Sequence, residues 1–168
     1  MNEIIKPREE KRILVLSDSH RDLFAAKKVL EIEQNIDEIW HLGDMASDCE
    51  DIAALRALPF RAVRGNCDYY DQEYLSEIVV TILGHKFLLV HGHKHSVKTT
   101  LLRLKLAAME EGASAVLFGH THMTFLTYED GILFMNPGSI SEPRGIVKNT
   151  YGIIRVNREG IFPEIRTL

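Results

Sequence analysis

Cysteine is scarce in this sequence. The chain of 168 residues contains two cysteines, Cys49 and Cys67, which lie in separate segments and form no Cys-x-x-Cys motif. Small domains that depend on disulfides are richer in cysteine and space it in recognisable patterns. The sequence therefore argues against a disulfide-stabilised scaffold and predicts a protein of the reducing cytoplasm.

Long apolar runs, basic clusters and linkers are also missing. No run reaches the roughly 18 apolar residues that a transmembrane helix needs, so no membrane partner is expected. The net charge is -4 and no block of lysine and arginine occurs, so stable nucleic-acid binding is not expected. The first eleven residues, MNEIIKPREEK, predict a polar tail over 1–11 rather than a targeting segment, and residues 12–168 predict one domain.

The first part of the chain alternates strand-like and helix-like segments. Continuous apolar runs alternate with segments whose apolar residues recur at helical spacing. The pattern predicts strands over residues 12–18, 37–44 and 60–65 and helices over 22–35 and 47–58. A β-α-β-α-β order favours a parallel sheet that carries helices on its faces.

The later part of the chain is rich in hairpin signals. Predicted turns lie at Gly84-His85, at Asp130-Gly131 and over residues 157–160. A long amphipathic segment predicts a helix over 96–112, with Ser96 as its N-cap and Gly112 as its C-cap. An early, mainly parallel sheet and a late, mainly antiparallel sheet would fit one α/β sandwich.

Polar side chains collect where the predicted strands end. Five strands run into DSH, GD, GN, HGH and GHTH, which place Asp18, His20, Asp44, Asn66, His91, His93, His120 and His122 at these ends. Ligands of open α/β sheets bind at the carboxyl ends of the strands. Taken singly, each residue also fits a helix cap, a turn or a buried histidine. Together, imidazole, carboxylate and amide groups without thiolates predict a site for Mn, Fe, Zn, Co or Ni.

The ordered motifs resemble those of the calcineurin-like metallophosphoesterase family over about residues 12–140. The compact length and the NPGS segment at 136–139 are similar to the small single-domain phosphodiesterases of that family. The resemblance implies a four-layer α-β-β-α sandwich of two mixed sheets flanked by helices. It also implies two divalent metal ions, with Mn as our first expectation and Ni, Zn, Fe or Co as alternatives.

The resemblance also implies how the ligands divide between the two ions. One ion is expected to take Asp18, His20, Asp44 and His122. The other ion is expected to take Asp44, Asn66, His91 and His120, so that Asp44 bridges them. Such a pair of ions supplies a hydroxide nucleophile and neutralises phosphoryl oxygens, which overcomes the negative charge of the protein locally.

The leading functional prediction is therefore a metal-dependent phosphodiesterase that acts on a small phosphoester through metal-activated hydroxide. Two alternatives stay open: a phosphomonoesterase for a small phosphorylated metabolite, and a non-catalytic binding scaffold of the same fold, as in a retromer subunit. A filled set of ligand positions favours the enzyme. An apolar hairpin edge is compatible with a homo-oligomer.

The main departure from the family pattern is Cys67, in the segment VRGNCDYY. Family members that hydrolyse monoesters well commonly carry a histidine directly after Gly-Asn, and the resemblance implies that this histidine assists the leaving group. Cys67 is either a weak substitute for it or a small packing residue, and His93 is the best replacement candidate. Two further expectations are that His41 is structural and that Arg144 could face the site.

Overall fold

A computed structural model describes residues 9–145 and 148–168 of the chain. Its strands are β1 Glu10–Leu16, β2 Glu38–His41, β3 Phe60–Ala62, β4 Glu77–Ile82, β5 His85–Val90, β6 Ala115–Leu117, β7 Thr124–Glu129, β8 Ile132–Pro137, β9 Thr150–Asn157 and β10 Gly160–Thr167. The helices are α1 Leu23–Ile32, α2 Asp48–Ala54 and α3 Leu102–Glu111, and a short 3-10 turn covers His93–His95.

The first sheet has the strand order β10-β9-β1-β2-β3. Strands β1, β2 and β3 are parallel, as the sequence predicts. The C-terminal hairpin β9-β10 joins this sheet antiparallel to β1, which corrects the prediction of separate early and late sheets. The backbone of the largely buried β9 finds hydrogen-bond partners on both sides, in β1 and in β10.

The second sheet has the strand order β4-β5-β6-β8-β7. Its three central strands β5, β6 and β8 are parallel, and the edge strands β4 and β7 pair antiparallel with their neighbours. This sheet is therefore not mainly antiparallel, as the hairpin signals had suggested. Both sheets are mixed, which confirms the expectation drawn from the family resemblance.

Three hydrophobic clusters separate four layers. One cluster packs α1 and α2 against the first sheet, and its buried residues include Leu14, Ala26 and Ile52. A second lies between the sheets around Trp40 and Phe87, and a third lies between the second sheet and α3. The predicted α-β-β-α sandwich is confirmed. None of the helices in the described part of the chain has the length and apolar character needed to cross a membrane.

The prediction of a helix over 96–112 is wrong at its beginning. Ser96 has a left-handed φ of 56° and follows the 3-10 turn, and the helix begins only at Leu102. The hydroxyl of Thr100 accepts a hydrogen bond from the amide of Leu102 at 3.1 Å, a local bond of a kind that competes with helix geometry. The predicted C-cap is correct, because Gly112 closes the helix in the left-handed conformation.

Two predicted boundaries also move by a few residues. Glu10 and Lys11, assigned to the polar tail, lie in β1 and pair with β9, whereas residues 1–8 of that tail lie outside the described residues. The hairpin turn before β5 consists of Leu83 and Gly84, since Ile82 pairs with His85. His85 is therefore half-buried in a strand rather than part of the turn, and its Nε2 lies 2.9 Å from the carbonyl of Asn157.

Candidate metal centre

The carboxyl ends of β1, β2, β3, β5 and β6 meet at one edge of the two sheets. Several residues just beyond these ends have left-handed φ angles, which are uncommon in non-glycine residues and cluster at functional sites. They are Asp18 (54°), His20 (45°), Asp44 (58°), His120 (68°) and His122 (58°). The sharp turns direct the chain across the sheet edge, where these side chains converge.

One group of four side chains could hold a cation: Asp18, His20, Asp44 and His122. Each offers one ligand atom, and these atoms lie within 4.8 Å of one another. Nε2 of His122 is 3.1 Å from Oδ1 of Asp18, and Nε2 of His20 is 3.9 Å from Oδ2 of Asp44. This is the same set that the family resemblance implies for one ion.

A second group contains Asp44, His91 and His120, with ligand atoms again within 4.8 Å of one another. Nε2 of His91 is 3.4 Å from Oδ2 of Asp44 and 3.1 Å from Oδ1 of Asn66. The ring of His120 stands edge-on to that of His91, with centroids 5.1 Å apart. Asp44 belongs to both groups, and Asn66 lies beside the second.

Two of the histidines are held in the tautomer that metal binding requires. Nδ1 of His91 lies 2.7 Å from the carbonyl of Leu42, and Nδ1 of His122 lies 2.8 Å from the carbonyl of Glu142. A carbonyl oxygen only accepts, so Nδ1 carries the hydrogen in both rings. Nε2 therefore presents its lone pair to the cluster, the arrangement found behind metal-binding histidines.

The surroundings of the Asp18 carboxylate indicate whether the cluster suits a cation. Its Oδ2 accepts hydrogen bonds from the hydroxyl of Ser17 at 2.5 Å and from the amide of His120 at 3.2 Å. Its Oδ1 is buried and, among residues 9–145 and 148–168, accepts no hydrogen bond of good geometry, although Nε2 of His122 lies 3.1 Å away. A buried carboxylate oxygen without a partner is costly, and a cation would satisfy it. The oxygen and nitrogen donors together suit a divalent metal.

The charge states of the cluster also suit cation binding. Burial opposes ionisation of Asp44, but His91 and the amide of Cys67 hold the pKa of its carboxyl well below the usual range. The pKa of Asp18 is also lowered, because His122, His91 and Ser17 outweigh its burial. Burial lowers the pKa of His120 to about 4, so this imidazole is neutral near pH 7.

Glycines in the motifs allow the backbone to approach these groups closely. A Cβ atom on Gly65 would lie 2.2 Å from Oδ1 of Asp44, and one on Gly119 would lie 2.0 Å from the hydroxyl oxygen of Ser17. Both distances are far below van der Waals contact. The pairs Gly65-Asn66 and Gly119-His120 therefore need glycine to bring their polar partners to the sheet edge.

His41 lies in a separate hydrogen-bond chain beneath the cluster. The ring is fully buried, and burial lowers its pKa. Its Nδ1 accepts from the amide of Gly43 at 3.2 Å, which leaves Nε2 as the donor to the hydroxyl oxygen of Ser19 at 2.9 Å. That hydroxyl donates to Asp48 at 2.6 Å. Both ring nitrogens are engaged, as the predicted structural role requires.

Sequence reasoning missed the importance of Asp68. Its carboxylate accepts four backbone N–H groups, from Asp44, Met45, Ala46 and Gly65, at 2.6–3.0 Å. The loops after β2 and β3 are thereby tied together behind Asp44 and Asn66. The available signal was an aspartate two residues after a Gly-Asn turn, because aspartate commonly accepts loop amides.

The candidate catalytic residues Cys67 and His93 lie at the border of the cluster. Sγ of Cys67 accepts a hydrogen bond from Nδ2 of Asn66 at 3.4 Å, and burial beside Asp44 raises the pKa of its thiol to about 11. The ring of His93 lies 5.4 Å from that of His91 and 6.1 Å from that of His120. Among the described residues, the buried Nδ1 of His93 has no hydrogen-bond partner.

Comparison with known proteins agrees with this geometry. A family model described as "Calcineurin-like phosphoesterase superfamily domain" matches residues 12–159. The chain is 34% identical over 150 residues to the probable metallophosphoesterase YsnB of Bacillus subtilis, covering 88% of this chain and 85% of that protein. It is 27% identical over 143 residues to phosphodiesterase MJ0936 of Methanocaldococcus jannaschii, covering 76% and 82% respectively.

Solved structures share the whole architecture. A Streptococcus pneumoniae protein described as a predicted phosphoesterase matches with a TM-score of 0.76 and 28% identity, covering 95% of this chain and 98% of that chain. Vacuolar Protein Sorting 29 from Cryptosporidium parvum matches with a TM-score of 0.74 and 17% identity over 95% and 98% of the two chains. At 17% identity the second likeness concerns the fold alone.

Proposed function

This chain belongs to the calcineurin-like phosphoesterase superfamily, and we propose that it hydrolyses phosphodiesters at a centre of two divalent cations. The observation that carries the proposal is the position of Asp44 in both ligand groups. A carboxylate shared between two such groups can bridge two closely spaced cations, the arrangement used for displacement at phosphorus. Manganese stays our first choice for both ions, with Ni, Zn, Fe and Co as alternatives.

The proposed division of the ligands follows the two groups. Asp18, His20, Asp44 and His122 hold one cation, and Asp44, Asn66, His91 and His120 hold the other. When bound, the cations supply Lewis acidity for the phosphoryl group and lower the pKa of the attacking water. The protein itself orients the ligands: Leu42 and Glu142 fix two imidazoles through their carbonyls, and Asp68 fixes the loop that carries Asp44.

We assign proton transfer to the leaving group to a residue at the border of the cluster. His93 is the candidate, because its imidazole lies beside those of His91 and His120. Cys67 lies on another side of the cluster, next to Asn66. A thiol is a weaker hydrogen-bond donor than an imidazole. We therefore expect diesters, and esters with acidic leaving groups, to be better substrates than alkyl monoesters.

Two rival functions are tested together with this proposal. A phosphomonoesterase would share the centre, whereas a binding scaffold would share only the fold, which the Vacuolar Protein Sorting 29 likeness illustrates. The two groups of convergent ligand atoms favour the enzyme over the scaffold. A cytoplasmic location and a small phosphoester substrate are part of the proposal, and both cysteines are free thiols, as that location requires.

The test is hydrolysis of bis(4-nitrophenyl) phosphate and 4-nitrophenyl phosphate by metal-stripped protein and by protein reloaded with Mn²⁺. We expect reloading to restore diester hydrolysis and Asp44→Asn to reduce it by about 100-fold or more, because a ligand of both ions is lost. Asp51→Asn is the matched control, since it removes an exposed carboxylate on α2.

Metal analysis accompanies the rates. Two ions per chain in the wild type and fewer in Asp44→Asn are expected. Two retained ions with normal turnover in Asp44→Asn would contradict the shared ligand. A wild type that prefers the monoester would favour the phosphomonoesterase, and no turnover of either ester with any divalent metal would favour the scaffold.

A further inference from the structure

An apolar cavity of about 400 Å³ opens beside the metal centre. Its base is formed by the buried side chains of Val97 and Phe118, and its rim by the more exposed Met123 and Phe125. The rings of Phe118 and Phe125 are tilted by 56° with centroids 6.1 Å apart. The volume is that of a small-molecule site, and the two aromatic side chains offer contacts that suit a planar ring.

The cavity and the metal centre are built from the same segments of chain. Thr121, which lines the cavity, stands between His120 and His122 in the sequence. Its hydroxyl accepts from Nδ2 of Asn136 at 3.0 Å and donates to the carbonyl of Met123 at 3.2 Å, which fixes this wall. A group bound in the cavity would therefore lie next to a cation bound by these two histidines.

Two cationic residues complete the lining. Lys98 and Arg144 both contribute to the cavity and both are exposed. Neither side chain forms a hydrogen bond or an ion pair with another residue that the structure describes, although the protein carries a net charge of -4. The amide of Arg144 donates to the carbonyl of His122 at 2.9 Å, which anchors this residue to the centre. Two unpaired cations at an apolar cavity complement a negatively charged ligand.

We propose that this cavity is the subsite for one organic group of the phosphodiester, and that the group it selects is an aromatic ring bearing a further negative charge. This inference rests on the proposed function, because the metal centre beside the cavity supplies the phosphoryl site. The ring lies against Phe118 and Phe125, and its anionic substituent meets Lys98 and Arg144.

Binding of non-hydrolysable phosphonates to the Mn²⁺-loaded protein, measured by calorimetry, tests the subsite separately from catalysis. The probes are methylphosphonate, phenylphosphonate and the 3- and 4-carboxyphenylphosphonates. We expect phenylphosphonate to bind more tightly than methylphosphonate. The better carboxyphenyl probe should bind about fivefold more tightly again, the size expected for two partly exposed ion pairs.

Three variants assign these preferences to residues. The double variant Lys98→Ala/Arg144→Ala should lose the carboxylate preference and keep the preference for phenyl over methyl. Phe125→Ala should weaken the phenyl preference. The control Lys27→Ala/Lys28→Ala removes two exposed positive charges from α1, in the opposite outer layer, and should retain both preferences.

The outcomes separate the subsite from the proposed function. Equal affinities for phenyl and carboxyphenyl probes in the wild type, an equal loss in the α1 control, or no binding of any probe would overturn the subsite. Hydrolysis of bis(4-nitrophenyl) phosphate is measured on the same samples. Hydrolysis without the binding preferences contradicts the subsite alone, and the preferences without hydrolysis contradict the phosphodiesterase alone.

Discussion

A single carboxylate, that of Asp68, organises the loops around Asp44. It accepts hydrogen bonds from backbone amides in both the loop after β2 and the loop after β3. Asp68 therefore positions the site although it is not one of the candidate ligands. The residue before it, Cys67, donates its amide to Oδ1 of Asp44 at 2.8 Å. Residues 67 and 68 therefore hold Asp44 through backbone and carboxylate contacts, and the backbone contact does not depend on the identity of the side chain at 67.

That independence makes Cys67→His an informative substitution. The side chain of Cys67 is half-buried and borders a cavity of about 170 Å³ that Arg21 and Tyr70 also line. An imidazole has room to extend in this direction, reaches farther than a thiol, and titrates in the neutral range. We expect the variant to gain most on monoesters and on esters with poor leaving groups.

Rates for aryl and alkyl esters of graded leaving-group acidity provide the measurement. The histidine variant should show a flatter dependence on leaving-group pKa than the wild type. Cys67→Ser is the control, because it keeps the size of the side chain and adds no imidazole. Equal gains or losses across the whole series would mean that position 67 does not set the leaving-group preference.

At the scale of elements, the sequence predicts the site better than the packing around it. Each strand end carries its own short motif, and this pattern is enough to predict that Asp18, Asp44, Asn66, His91 and His120 lie at strand ends. Sheet membership of β9 depends on contacts with β1, more than a hundred residues earlier, and no local signal specifies it. The sequence does not indicate the late start of α3, because no local pattern specifies the left-handed φ of Ser96 or the close packing of Val97 on Gly92.

The end of α1 shows how one buried charge connects distant elements. Glu33, the C-cap of α1, lies 2.5 Å from Arg12 on β1 and 2.6 Å from Arg166 on β10, and it accepts from the hydroxyl of Tyr151 on β9 at 2.8 Å. Burial alone would raise the pKa of Glu33, but Arg166 and Tyr151 hold it below its usual value. A group with a lowered folded pKa stabilises the fold above its unfolded pKa and loses that contribution as the pH falls.

We therefore predict that Glu33→Gln lowers the free energy of unfolding by about 2 kcal/mol at pH 7, because the charged hydrogen bonds are lost. The difference between variant and wild type should shrink as the pH falls below 4.5, the ordinary pKa of the group. Urea unfolding at neutral and acidic pH measures this difference in the free energy of unfolding. The control is Glu31→Gln, which changes an exposed residue on the same helix. A difference that is as large at pH 3.5 as at pH 7 would contradict the assigned charge state.

At the scale of the whole molecule, the candidate metal centre joins the two sheets. The first sheet supplies Asp18, His20, Asp44 and Asn66, and the second supplies His91, His120 and His122. Each ligand group takes members from both sheets. Hydrogen bonds within the protein also link the two sheets. The amide of His120 donates to Asp18, and Nδ1 of His91 donates to the carbonyl of Leu42. The sheets are thus connected both by the protein and by the cations it is proposed to bind.

This double connection predicts how chelation affects stability. Cations that bind only the folded chain stabilise it by about 2.7 kcal/mol at a concentration 100 times their dissociation constant. For a chain of this size that corresponds to a shift in Tm of roughly 5–10 °C. We expect EDTA to lower the Tm by about this amount and Mn²⁺ to restore it, while the chelated protein still unfolds cooperatively, because the hydrophobic layer between the sheets remains. Asp44→Asn should show a much smaller shift in the same calorimetric scans. If metal analysis shows complete removal of the ions and the Tm of the wild type does not change, the cations do not link the sheets.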